Sequence, residues 1–163
     1  EETIPCLYYS GQKIANEKLE IIYHHNLDTR RNVYANFLFN QVAGCTAVFN
    51  RKLLEFVKMN ANAMPSMHDS YLYRLCAVLG GKIIVDSEGK ILYRQHENNV
   101  VGLGNSFKAK MKLFKEHLNS DAPRNEGKQI YEYYNSYMTE EWKQFIVDIL
   151  EMKKYAKMRI QSL

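Results

Sequence analysis

Residues 67–102, MHDSYLYRLCAVLGGKIIVDSEGKILYRQHENNVVG, hold the pattern on which the fold turns. Leu72, Leu75, Cys76 and Leu79 recur at helical spacing and form one apolar face. Ser66 and Asp69, just ahead of that face, have the spacing of an N-cap and its N3 partner. Gly80-Gly81 is a helix stop. Lys82–Val85 and Lys90–Tyr93 are two β-prone runs flanking Asp86-Ser87-Glu88-Gly89, so the spacing predicts a hairpin. Arg94, Gln95, His96, Asn98 and Asn99 then crowd into a loop closed by Gly102. Polar groups gathered at the ends of regular elements are where α/β proteins usually carry their chemistry.

Working outward, Gly44–Phe49 has the small and β-branched residues of a strand. Asn50 follows as an N-cap, Phe49 and Leu54 have the spacing of a hydrophobic staple, and a helix is expected from Arg51 to about Met59. Nearer the N-terminus, Leu7–Tyr9 reads as a short strand and Gly11–Asp28 as polar connection with an apolar patch at Leu19–Ile22. Tyr34–Asn40 reads as a short helix. Beyond Gly104 the character changes. Phe107, Met111, Phe114 and Leu118 share a helical face, which Pro123 breaks. A last helix is expected near Thr139, with Glu140 and Glu141 in its first turn and Lys153, Lys154 and Lys157 towards its end, as the helix dipole favours. Trp142, Phe145, Ile146, Ile149 and Met152 supply its apolar stripe. The fold class is therefore α/β: strands mixed with helices over residues 1–104, then a helical region over 105–163.

Composition narrows the function classes. Apolar residues make up 46% and charged residues 25% of 163, enough for a packed core and against disorder. The net charge of +4 comes from interspersed charges of both signs, which argues against nucleic acid as partner. Cys6, Cys45 and Cys76 are odd in number and widely spaced, fitting neither a disulfide framework nor a paired zinc site and pointing to a reducing, cytoplasmic setting. No apolar run approaches the roughly 20 residues of a membrane span, and no signal-peptide pattern opens the sequence. There is no initiator Met, and the strand-like Ile4–Tyr9 comes at once, so the chain reads as part of something longer.

Two readings stand side by side for each candidate site residue. Asp69 is either a capping carboxylate or a general base, since the field at a helix N-terminus favours the ionised form a base needs. His96 is either a structural histidine or a metal ligand. Arg94 either grips a phosphate with its planar fork or pairs with Glu97 or Glu88. Asn98 and Asn99 bind sugar hydroxyls or hold the turn. Asp86-Ser87-Glu88 imitates a D-x-D metal motif but falls in the expected hairpin turn, and His24-His25 lacks the spacing of a ligand set. Lys153, Lys154, Lys157 and Arg159 either touch anionic lipid or end a solvated helix. The tyrosines at 131, 133, 134 and 137 are expected to pack the helical tail.

Taken together, Gly44–Arg51, then His68-Asp69, then Tyr93-Arg94-Gln95-His96-Glu97-Asn98-Asn99-Val100-Val101-Gly102 resemble the second half of a family 2 glycosyltransferase, of the rhamnosyltransferase-like kind that builds bacterial surface polysaccharides. The resemblance covers roughly Leu7 to Gly102. It implies a GT-A fold, here a partial GT-A-like mixed sheet with flanking helices, and an inverting transfer from a nucleotide-sugar donor to a saccharide or lipid-linked acceptor. Asp69 would be the base, and Arg94, Gln95 and His96 would lie near the diphosphate and a divalent metal, Mg or Mn. His68, Asn98 and Asn99 would neighbour the site, with His96 a further metal contact. The nucleotide-binding strands and main metal ligands would precede residue 1, which makes residues 1–163 an acceptor-side half, inactive alone and prone to self-associate. The family implies work at the cytoplasmic face of the membrane. A non-catalytic interaction module, with Asp69 only a cap, is the rival reading.

Overall fold

A computed structural model of the chain describes residues 3–63, 65, 67–95 and 120–161, the last ten of these for their backbone alone. It is a mixed α/β structure. Its described strands are β1 (Cys6–Ala15), β2 (Ile21–His25), β3 (Val48–Phe49) and β4 (Lys82–Arg94). Its described helices are α1 (Val33–Leu38), α2 (Arg51–Met59), α3 (His68–Val78), α4 (Ala122–Tyr134) and α5 (Glu140–Gln161). The residues fall into two units. One comprises the described part of 1–7, 49–83 and 121–163, the other that of 8–48 and 84–120.

β1 is the central strand of a four-stranded sheet ordered β2-β1-β3, with β4 also paired to β1. β2 lies antiparallel to β1, with Gln12 opposite His25 and Ile14 opposite Tyr23. The turn between them is fixed locally: Asn16 Oδ1 accepts from the backbone N–H of Lys18 and of Glu20, and Leu19 takes a left-handed φ of 65°. β4 meets β1 in ascending order. Gly11 lies against Ser87 and Glu88, Gly89 against Gln12 and Lys13, and the Gln95 N–H donates to Ala15 O. That order is parallel, so the sheet is mixed, as expected. The approach is close enough to require glycine: a Cβ on Gly89 would sit 2.5 Å from Gln12 C, and one on Gly11 2.4 Å from His25 O.

Several local expectations need correcting. β1 and β2 occupy most of Gly11–Asp28, expected as connection; β2 escaped notice because its residues Ile21–His24 are exposed and show no alternation. The Asp86–Gly89 segment is not a hairpin turn but the middle of β4. Its Asp86 Oδ1 accepts from the Glu88 N–H, a turn-like bond inside a strand whose partner is β1. Gly44–Thr46 forms a single 3-10 turn, leaving only Val48–Phe49 as strand. The helical pattern over Phe107–Leu118 that Pro123 was expected to break lies outside the described residues. Pro123 itself stands in the first turn of α4, where its missing N–H costs nothing.

Other expectations hold. Asn50 caps α2 through a 3.0 Å bond from the Leu53 N–H, Gly80 follows α3 with φ of 65°, and α5 opens with Glu140 and Glu141. In the unit holding α2 to α5, Leu53, Leu75, Cys76, Ile130, Tyr134 and Ile146 are buried; in the other, Tyr9, Ile14 and Phe37 are. Trp142, Ile146 and Ile149 confirm the stripe of α5. Of the four C-terminal tyrosines, Tyr134 is buried, while Tyr133 and Tyr137, the latter in the 3-10 turn that follows α4 and edge-on to Phe56, are half exposed.

Candidate functional site

α3 differs from the other helices in being buried from Asp69 to Val78 without interruption. Burying an unpartnered polar side chain is costly, and α3 buries Asp69, Ser70 and Arg74. Its N-cap is Met67, whose backbone is extended and gives no side-chain bond. His68 is therefore the first helical residue and Asp69 the second. That differs from the expected capping box, which needs Asp69 at N3; Ser66 itself lies outside the described residues. An acidic side chain in the first turn complements the helix dipole. Asp69 Oδ1 accepts from the neighbouring Ser70 N–H at 2.6 Å.

Around this turn lies a polar cluster that sequence reasoning did not assemble. Arg74 and Glu126 are 3% and 2% exposed and form an ion pair through Arg74 Nη1 and Glu126 Oε2. The same Glu126 oxygen lies 3.3 Å from Ser70 Oγ, whose single proton is shared with Met67 O at 3.0 Å. Burial pulls the Arg74 guanidinium below its ordinary value, while Glu126 first and Asp69 second pull it back. Arg74 carried one signal in the sequence, a charge among Leu72, Leu75 and Cys76 on an apolar helix. Glu126 carried none, and 52 positions separate it from its partner.

The other expected site residues are spread over the chain. His68 is exposed beside Asp69. Arg94 ends β4 as an exposed side chain, and Gln95 is half-buried with its backbone N–H on Ala15 O, both in the second unit. Glu88, one expected partner of Arg94, is paired with Lys90 at 3.0 Å. His96, Asn98 and Asn99 lie outside the described residues. Asp86 Oδ2 accepts from Tyr8 Oη at 3.2 Å and pairs with Lys90 at 3.4 Å. The Glu88 N–H, followed by Lys90, holds the Asp86 carboxyl below its usual value. Among the described residues no three His, Cys, Asp or Glu side chains come together as a metal site. Nor is any described helix long and apolar enough to cross a membrane.

Over 75 residues the chain is 43% identical to a protein described as dTDP-rhamnosyl transferase RfbG of Shigella flexneri. The matched stretch is 42% of this chain and 26% of that protein, so the chain spans about a quarter of the length of this curated relative. Such identity supports a glycosyltransferase-like relationship. No family model matches the chain, and no solved structure does. The mixed sheet followed by helices is compatible with a partial GT-A-like fold.

Proposed function

We propose that the chain forms the acceptor-side half of an inverting glycosyltransferase of family 2, with Asp69 as general base. The observation that carries this is the 43% identity to a protein named as a rhamnosyl transferase. The position of Asp69 agrees with it: a carboxylate in the first turn of a helix, 6% exposed and so screened from bulk water. In the reaction an acceptor hydroxyl oxygen attacks the anomeric carbon of a nucleotide sugar. The bond from that carbon to the diphosphate oxygen breaks with its electron pair, the hydroxyl proton passes to Asp69, and the nucleoside diphosphate leaves.

The acceptor is a saccharide or a lipid-linked saccharide of a surface polysaccharide, met at the cytoplasmic side of the membrane. His68, Arg94, Gln95, Asn98 and Asn99 are assigned to the two substrates. A divalent cation, Mg or Mn, would neutralise the leaving diphosphate, with His96 as one contact and its other ligands outside the described residues.

The test is a transfer assay on the full-length protein with a panel of nucleotide sugars, led by a dTDP-activated deoxysugar, with and without chelator. Asp69→Asn keeps the size of the side chain and is expected to lower turnover by about 100-fold or more. Turnover indifferent to Asp69, or absent with every donor, would return Asp69 to a capping role and the chain to an interaction module. Residues 1–163 alone are expected to turn over no donor.

A further inference from the structure

Two charges buried together rarely earn their place through stability. The desolvation of each costs several kcal/mol, and apolar residues of similar volume usually do as well. Arg74 and Glu126, with side chains 4% and 3% exposed, are such a pair. Their arrangement shows what else they do. One oxygen, Glu126 Oε2, takes Arg74 from the second turn of α3 and reaches Ser70 in its first turn, four residues earlier. Ser70 is the residue whose N–H meets the Asp69 carboxylate, and Arg74 interacts electrostatically with Asp69. α4 thus reaches both the first turn of α3 and the cation that interacts with Asp69.

We propose that Glu126 is a positioning residue which, through Arg74 and Ser70, holds the Asp69 carboxylate in place and sets the charge around it. This rests on Asp69 being the base. The charged groups on the elements around Asp69 include the following. On α3 these are exposed His68 and buried Arg74; from α4 the buried charge is Glu126, while Arg124 turns to Ile149 O and Asp121. α2, also packed on α3, carries Arg51, Lys52, Glu55 and Lys58 at its surface, with Lys52 paired to Glu55.

The experiment measures kcat and KM against pH in the full-length protein. Glu126→Gln makes the net charge beside Asp69 more positive, so the acid limb of kcat moves to lower pH. Arg74→Gln makes it more negative, so that limb moves to higher pH. Each lowers plateau kcat, by up to about 100-fold, with the donor KM unchanged. Arg74→Lys restores the limb, and the double Gln variant returns it towards wild type. Limbs that stay put, or move the same way, while thermal stability falls would reduce the pair to a structural contact and overturn the proposal. Where a single variant does not fold, Arg74→Met with Glu126→Leu replaces the pair by apolar volume. A folded double variant with wild-type kcat and limb overturns the proposal; a folded one with lowered kcat supports it. Asp69→Asn separates the two claims. If it is inactive while Glu126 has no effect, only the positioning role fails; if it is active, the base assignment fails first.

Discussion

At Cys76 burial dominates the chemistry. The thiol is fully enclosed, and loss of water, helped by nearby Cys6, pushes it up to about 12. Because the thiolate is the nucleophile, Cys76 carries almost none near neutral pH. Iodoacetamide at about pH 8 is expected to modify exposed Cys45 first, half-buried Cys6 more slowly, and Cys76 only after denaturation, as mass spectrometry of the labelled peptides would read. Labelling of Cys76 in the folded protein would contradict its enclosure. The same rule governs Arg74, in the opposite direction. Its removal takes away the cation paired with the buried Glu126 carboxylate, so Arg74→Ala is expected to cost about 3–5 kcal/mol in urea denaturation. Both residues stood in the sequence as members of one apolar helix. Asp69 was legible because a carboxylate at a helix start is a local pattern. The Arg74–Glu126 contact was not, because local pattern holds no information about a partner 52 residues away.

Elements whose ends are set by their own neighbours were the legible ones. α2 begins at Asn50 because that side chain accepts the Leu53 N–H, and the sequence shows the cap directly. The same side chain also accepts the Cys6 N–H at 3.0 Å and donates to Ile4 O at 2.9 Å, which ties the helix to the start of β1. Asn50→Ala therefore loses three bonds. It is expected to cost about 2 kcal/mol, the top of the range for a cap, in the midpoint of chemical denaturation. β4 shows the contrary case. Asp86-Ser87-Glu88-Gly89 has turn chemistry and forms one turn-like bond, yet β1 alongside supplies the ladder that keeps it extended. Gly89 is there for contact with the Gln12 and Lys13 backbone, not for a turn. Gly89→Ala forces backbone atoms apart and is expected to destabilise by about 1–3 kcal/mol, where a loop glycine would tolerate the change.

For the whole molecule, buried neutral acids set the alkaline limit. Burial raises Tyr9, Tyr71, Cys76 and Tyr134 above their ordinary values, Tyr71 with Tyr134 beside it. In each case the folded chain keeps a proton that the unfolded chain releases. The unfolded state then binds fewer protons once pH passes the ordinary cysteine and tyrosine values. Stability from these groups is complete below about pH 8.5 and declines as pH rises beyond it, with each fully differential group adding up to about 1.4 kcal/mol per pH unit. On the acid side His25, lowered by burial, works the other way: the unfolded chain takes the proton first, so stability declines as pH falls below the ordinary histidine value. The urea midpoint is therefore expected to be flat near neutrality and to fall steeply above about pH 9. Tyr71→Phe and Cys76→Ala each delete one buried acid and are expected to make the alkaline decline shallower, whatever they do to the midpoint at neutral pH. An alkaline slope unchanged in both variants would mean that these groups titrate alike in the folded and unfolded chain, and that the helical unit admits water around α3.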